Sequence, residues 1–167
     1  MRMLLLLLLG LLASSAVAQD RASIAAVPAA CGPFGINFDA KREQAQPIFE
    51  PESGKALVYI VQDYGSLTIK VGLDGAWIGA NHGISHFSFS VPPGEHHLCA
   101  NWQSKIANYS SRYSLANFTA VPGTIYYFRT RVWISQTTLF FDIDPLNSDE
   151  GRYLATTTAL AVSHPKK

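Results

Sequence analysis

Apolar residues alternate with polar ones through most of the chain after residue 54, which is the period-two pattern of half-buried β-strands. Residues 56–61 form instead a continuous apolar run, typical of a strand buried on both faces. The dipeptide Asp74-Gly75 is a strong hairpin signal. Residues 55–145 are therefore predicted to form an all-β domain, an antiparallel β-sandwich of about seven to eight strands. The alternating rows that share one face are Leu67, Ile69 and Val71; Phe87, Phe89 and Val91; Leu98, Ala100 and Trp102; Ala116, Phe118 and Ala120; and Leu139, Phe141 and Ile143.

The two flanks of the predicted sandwich lack this alternation. Residues 19–54 contain four prolines and no sustained period, so we expect an irregular, extended lead-in. Residues 146–167 are predicted to form a short helix and a tail. Asn147 followed by Glu150 has the character of a capping box, which places the helix start directly after Asn147. The helix is expected to run to about Ala161 and to cover part of a sheet.

Residues 1–18 have the three parts of a cleavable secretory signal. A basic start with Arg2 precedes an almost unbroken leucine run from Leu4 to Leu12, and an A-x-A cleavage site ends in Ala18. The apolar stretch falls short of the roughly 20 residues that span a bilayer. Gln19 stands where lipoprotein processing requires a cysteine. We therefore expect cleavage after Ala18 and a periplasmic or secreted protein with no transmembrane segment in its mature form.

Charge and cysteine content narrow the class of protein further. Removing Arg2 from thirteen basic residues leaves twelve, against twelve acidic ones, so the mature chain has no formal net charge. This balance does not favour nucleic-acid binding. The only two cysteines, Cys31 and Cys99, predict one disulfide in an oxidising compartment, with two separate buried thiols as the alternative. Since Leu98 faces the core, Cys99 points outward, and the bridge would strap the lead-in across the outside of the sandwich.

The long strand predicted over residues 124–134 carries the strongest candidate binding surface. If its intervening residues face the core, aromatic and guanidinium side chains alternate along the outer face, at Tyr127, Arg129, Arg131 and Trp133. Such a row can stack on sugar rings or bind acidic groups or a protein partner. The alternative is a cross-strand ladder that shields the sheet beneath the C-terminal helix.

Histidines and carboxylates offer weaker candidates for chemistry. His86 on one strand and His97 on the next could meet across a hairpin, with Glu95 nearby, as a weak Zn²⁺ or Cu²⁺ site. Asp142 and Asp144 share one face of the last strand and could serve acid/base chemistry or bind Ca²⁺. The sequence has no strong metal-ligand spacing and no G-x-S-x-G elbow. Catalytic residues, a cofactor and a firm metal site are therefore not predicted.

Four stretches of the sandwich carry a resemblance to a known family. They are K-A-L-V-Y-I at residues 55–60, V-G-L-D-G at 71–75, V-P-P-G-E-H at 91–96 and P-G-T-I-Y-Y-F at 122–128. With these motifs the chain resembles an uncharacterised domain family of bacterial secreted proteins and lipoproteins, similar in motif layout to PEGA-type surface β-domains. The resemblance covers about residues 54–145. It implies a small envelope β-sandwich without an established activity, and it supplies no catalytic residues.

These features together predict an exported, non-enzymatic envelope module that binds or supports another envelope component, either a protein or a glycan. The alternative is a small secreted hydrolase or metal-binding protein. A metal titration and a hydrolase screen discriminate between the two classes.

Overall fold

The structure of the protein is a computed structural model that describes residues 30–44, 49–105, 112–135 and 138–167. The predicted signal peptide and its cleavage site lie outside these residues. The helix α1 (Ser148–Thr157) lies between the last two strands, and no helix in the described ranges is long and apolar enough to cross a membrane. The strands are β1 (Phe38–Glu43), β2 (Ala56–Gln62), β3 (Thr68–Leu73), β4 (Ala76–His82), β5 (Ser85–Val91), β6 (Gly94–Trp102), β7 (Tyr113–Ala120), β8 (Ile125–Ser135), β9 (Thr138–Leu146) and β10 (Ala159–Pro165).

The strands form two sheets that face each other, which confirms the predicted β-sandwich. The six-stranded sheet has the order β1-β10-β5-β2-β8-β9, and the four-stranded sheet has the order β4-β3-β6-β7. Among the described residues, eight strands, β2 to β9, lie in the stretch where seven to eight were predicted. The six-stranded sheet is not wholly antiparallel, because β2 pairs with β8, and β10 with β5, in parallel.

The hydrophobic core lies between the two sheets and contains the alternating rows of the sequence. Val58, Ile60 and Phe128 enter it from the six-stranded sheet, and Val71 and Leu98 enter it from the four-stranded sheet. Each fully buried side chain of this size contributes about 1.5–3 kcal/mol to stability. The period-two alternation thus sorts the side chains into an inner and an outer face, as predicted.

The flanks contain two strands that the sequence pattern did not predict. β1 lies in the lead-in and pairs antiparallel with β10, from Phe38 opposite Pro165 to Glu43 opposite Leu160. The lead-in is therefore not irregular throughout. β1 is an edge strand with mostly exposed, charged residues, so its sequence carries little of the apolar alternation that identifies a half-buried strand.

The helix begins where predicted but ends earlier. The Asn147 side chain accepts a hydrogen bond from the Glu150 N–H at 2.9 Å, as an N-cap does. The prediction that the helix runs to Ala161 is wrong, because Thr158 adopts an extended conformation and Ala161 belongs to β10. Threonine hydroxyls in this last turn donate to the carbonyls of preceding residues, and β-branched residues are poor helix formers.

Cys31 and Cys99 form a disulfide, with their Cα atoms 5.1 Å apart. Both side chains are buried in a small cluster separate from the main core, on the outer face of the four-stranded sheet. Two hydrogen bonds also hold the lead-in to this sheet. The Trp77 indole donates to the Pro33 carbonyl at 2.8 Å, and the Lys70 ammonium donates to the Ile36 carbonyl at 2.6 Å. The lead-in therefore straps the outside of the sandwich, as predicted.

Serine hydroxyls connect the two sheets on both sides of the sandwich. On one side, Ser163 Oγ of β10 accepts a hydrogen bond from the Ala80 N–H of β4 at 2.9 Å. On the other side, Ser114 Oγ of β7 accepts from the Ile143 N–H of β9 at 3.1 Å. Each contact satisfies a backbone donor on a strand edge, which would otherwise be available to another chain.

Candidate functional site

A groove opens at the end of the sandwich where β8 extends beyond its neighbour β2. Pairing between these strands ends at Gln62 and Thr130, whereas β8 continues to Ser135 and, among the described strands, pairs there with β9 alone. After Gln62 the chain turns away into β3 of the opposite sheet. The resulting groove has a volume of about 690 Å³, and we call it the end groove.

The lining of the end groove comes from both sheets and is mostly apolar. Ile69 and Trp102 belong to the four-stranded sheet, and Val132 and Trp133 belong to the six-stranded sheet. Tyr64, in the turn between β2 and β3, lies at the rim and is 76% exposed. Concave, largely apolar surfaces with a few polar groups are typical of ligand sites.

The four residues predicted to form a binding row are divided between two environments. Tyr127 is 4% exposed, because α1 covers it and its ring stacks on that of Tyr59. The helix comes this close because residue 151 is glycine, where a Cβ would overlap the Tyr127 ring. Arg129 forms ion pairs with Asp63 at 3.4 Å and with Glu150 of α1 at 2.9 Å. This half of the row matches the alternative prediction, a ladder beneath the helix.

The other half of the row, Arg131 and Trp133, lies at the end groove. The Trp133 ring stacks on that of Phe140 across the β8–β9 pair, with ring centroids 5.2 Å apart and planes inclined by 14°. The Arg131 guanidinium lies 4.8 Å from the Trp133 ring centre, and its Nη2 is 2.8 Å from Asp144 Oδ2. The cation is thus largely neutralised, and the indole is held in a fixed orientation.

Gln62 supplies a polar atom in this apolar setting. Its side chain is 1% exposed and lines the end groove. The Nε2 group donates to the carbonyls of Tyr64 at 3.3 Å and Leu67 at 3.1 Å, which fixes the orientation of the amide. Oε1 has no hydrogen-bond partner among the described residues. A buried acceptor in this state lowers the stability of the fold by about 1–3 kcal/mol.

The two histidines considered for a metal site lie far from each other in the fold. β5 carries His86 in the six-stranded sheet, and β6 carries His97 in the four-stranded sheet, each pointing away from the core. The prediction that they meet across a hairpin is therefore wrong, because consecutive strands β5 and β6 belong to different sheets. His86 is buried, with Nδ1 2.9 Å from the Thr158 hydroxyl, and burial lowers the pKa of its ring.

The predicted carboxylate pair has separate structural partners. Asp142 accepts a hydrogen bond from Ser114 Oγ at 2.8 Å, and Asp144 pairs with Arg131. No cluster of three or more histidine, cysteine or carboxylate side chains that could hold a metal ion occurs in the described ranges.

Two of the motifs that carry the family resemblance meet in one hydrogen-bonded network. Asp74 Oδ2 is 2.6 Å from His96 Nδ1, Asp74 Oδ1 accepts from the His97 N–H at 2.8 Å, and His96 Nε2 is 2.9 Å from the Pro92 carbonyl. Asp74 and Gly75 both have positive φ, 48° and 84°, as the predicted tight hairpin requires. The network links the β3–β4 turn to the start of β6.

This geometry favours a protonated His96, because both ring nitrogens face acceptors. Burial works against the charge, but the Asp74 carboxylate and the Pro92 carbonyl outweigh it and raise the pKa of His96. Burial also opposes ionisation of Asp74, and the hydrogen bonds from His97 and His96 reverse this effect and lower the pKa of the carboxyl. The motif residues therefore act here as a structural clamp.

Sequence reasoning missed Gln62, Tyr64 and Trp102 as groove residues. Gln62 had a usable signal, since it is the polar end of an otherwise apolar buried strand. Tyr64 and Trp102 had none, because one lies in a turn and the other follows the core alternation. The chain matches no protein-family model and no curated protein.

Proposed function

We propose that the protein is an exported, non-enzymatic envelope module that binds another envelope component in the end groove. The observation that carries the proposal is the end groove itself, a concave and mostly apolar surface whose lining includes Tyr64, Trp102 and Trp133. Concave surfaces of this kind are typical of ligand sites, and aromatic side chains in them contribute much of the binding energy.

Export remains part of the proposal, together with the family resemblance. The signal-like residues 1–18 support export, and the disulfide between Cys31 and Cys99 suits an oxidising compartment. The PEGA-like motif layout supports an envelope β-domain, and its residues Asp74 and His96 form a clamp at the turn.

The alternative of a hydrolase or metal-binding protein has less support. Catalytic or ligating groups need to converge on one point, whereas His86 and His97 lie on opposite outer faces of the sandwich. Asp142 and Asp144 are engaged by Ser114 and Arg131. Tight stoichiometric binding in a metal titration, or turnover in a hydrolase screen of the purified protein, would overturn the choice.

A comparison of two exposed tyrosines tests the binding function. Tyr64 is 76% exposed at the rim of the end groove, and Tyr153 is 65% exposed on α1, outside the groove. The wild type, Tyr64→Ala and Tyr153→Ala are immobilised and incubated with solubilised bacterial envelope and with purified peptidoglycan sacculi. We expect a component that the wild type and Tyr153→Ala retain equally and that Tyr64→Ala retains about tenfold less. Equal retention by all three would contradict a site in the groove.

A further inference from the structure

The backbone of β8 has an unoccupied edge at the end groove. β9 pairs with one side of β8 over residues 131–135. β2 pairs with the other side of β8 only as far as Thr130, and no strand in the described part of the chain continues that pairing. Alternate residues of a strand direct their N–H and C=O groups to opposite sides. The groove side of this segment therefore presents backbone donors and acceptors that no described strand pairs, beside an apolar floor.

This edge differs from three other edges of the same sandwich, those of β4, β9 and β1. Ser163 Oγ accepts the Ala80 N–H at the edge of β4, and Ser114 Oγ accepts the Ile143 N–H at the edge of β9. β1 at the far edge of the six-stranded sheet carries exposed charged residues, which discourage pairing with another chain. The segment of β8 beyond Thr130 has no serine contact of this kind within the described ranges.

The charges at the end groove indicate that its ligand is uncharged where it docks. Arg131 is paired with Asp144 at 2.8 Å, so the groove presents no net charge from this pair to a ligand. The floor around Ile69 and Val132 is apolar, and the adjacent edge of β8 offers backbone donors and acceptors. A ligand with apolar side chains and its own hydrogen-bond donors fits this combination.

The state of Trp133 argues against a sugar as the ligand. Sugar recognition uses an open aromatic face, but Phe140 stacks on the Trp133 ring and the Arg131 guanidinium also lies over it. These two contacts reduce the aromatic surface of Trp133 on which a sugar ring could stack. An extended peptide needs only the edge of the ring, the apolar floor and the strand backbone.

We propose that the end groove binds an extended, uncharged peptide segment of a partner protein, which adds to β8 as a further strand beyond Gln62. This inference rests on the proposed binding function and names its ligand class. The segment exchanges backbone hydrogen bonds with residues 131–135, and every second side chain enters the groove.

The test begins with a phage-displayed library of random ten-residue peptides, selected on the folded wild-type protein and followed by synthesis of the best binder. Single N-methylation along the peptide removes one backbone donor at a time. Strand addition predicts a period-two pattern, in which N-methylation at alternate positions weakens binding about tenfold or more and is tolerated in between. In amide NMR spectra, the largest shifts should fall on residues 131–135.

Matched serine variants show whether the peptide occupies the end groove. Ser66 is exposed and lines the groove, whereas Ser53 is exposed in a turn outside it. Ser66→Trp should weaken peptide binding about tenfold or more, and Ser53→Trp should leave it unchanged. Circular dichroism and thermal unfolding confirm that both variants fold.

The outcomes separate this inference from the proposed function. Selected peptides without the period-two pattern, or with equal affinity for Ser66→Trp and Ser53→Trp, would refute strand addition. Binding of peptidoglycan sacculi alone, reduced by Ser66→Trp, would leave the groove as the binding site and overturn the peptide as its ligand. If neither peptides nor sacculi bind, and Tyr64→Ala and Tyr153→Ala retain envelope components equally, both the peptide ligand and the binding function of the end groove would be overturned.

Discussion

Replacement of both Cys31 and Cys99 by alanine tests how the lead-in is held to the sandwich. The disulfide joins residues 68 positions apart and closes a loop that contains β1 to β5 and part of β6. Alanine removes both sulfurs without placing a hydroxyl in the buried cluster. The strap retains its hydrogen bonds from Trp77 to Pro33 and from Lys70 to Ile36, so we expect the variant to fold.

The expected loss of stability follows from the loop length. In the chain-entropy model, releasing a loop of this size returns about 4 kcal/mol of conformational freedom to the unfolded chain. A domain of this size has a total stability of about 5–15 kcal/mol, so the loss is a large fraction of it. Guanidinium unfolding of the oxidised wild type, the reduced wild type and Cys31→Ala/Cys99→Ala measures it, and the last two should agree.

Two results would refute this reasoning. A free energy of unfolding within about 1 kcal/mol of the oxidised wild type would show that the bridge does not constrain the unfolded chain. Peptide mapping without reductant that recovers both thiols free would show that the bridge does not form.

Two further substitutions test the clamp and the helix contact. Asp74→Asn tolerates the positive φ and removes the charge beside His96. Because the pKa of His96 is raised in the folded protein, its interaction with Asp74 stabilises the fold fully below the ordinary histidine pKa. This stabilisation is lost as the pH rises through the pKa of His96 in the folded protein. Urea unfolding should show Asp74→Asn to be about 1 kcal/mol less stable than the wild type near pH 5.5, and this difference should shrink towards pH 8.5. A difference that stays constant with pH would contradict the clamp. Gly151→Ala places a Cβ into the Tyr127 ring and should lower the free energy of unfolding by about 1–3 kcal/mol, measured by thermal or urea unfolding. The control Arg152→Ala, at an exposed position of the same helix, should change stability little. Equal effects of the two substitutions would exclude the close contact.

Much of the local structure could be predicted because its causes lie within a few residues. The apolar residues at every second position, Leu67, Ile69 and Val71, identify the face of the strand that packs against the core. The hairpin at Asp74 follows from the positive φ that Asp-Gly tolerates. The helix starts after Asn147 because the side chain of this residue accepts a hydrogen bond from the N–H of Glu150, three residues later.

The errors arose where a distant partner decided the outcome. Residues 159–165 leave the helix and form β10, because β1 and β5 offer strand edges for pairing. His86 and His97 are close in sequence but separated by the sandwich, because the chain changes sheets between β5 and β6. Periodicity identifies the face of a residue but carries no information about which strand lies beside it.

The candidate site divides in the same way between sequence and tertiary structure. The sequence by itself determined that Tyr127, Arg129, Arg131 and Trp133 share the outer face of one strand, since side-chain direction alternates along any strand. Only the tertiary structure decided that α1 covers the first two and that β2 stops at Gln62. A groove forms at that end because two strands of unequal length became neighbours, and such pairing depends on contacts between residues far apart in the chain.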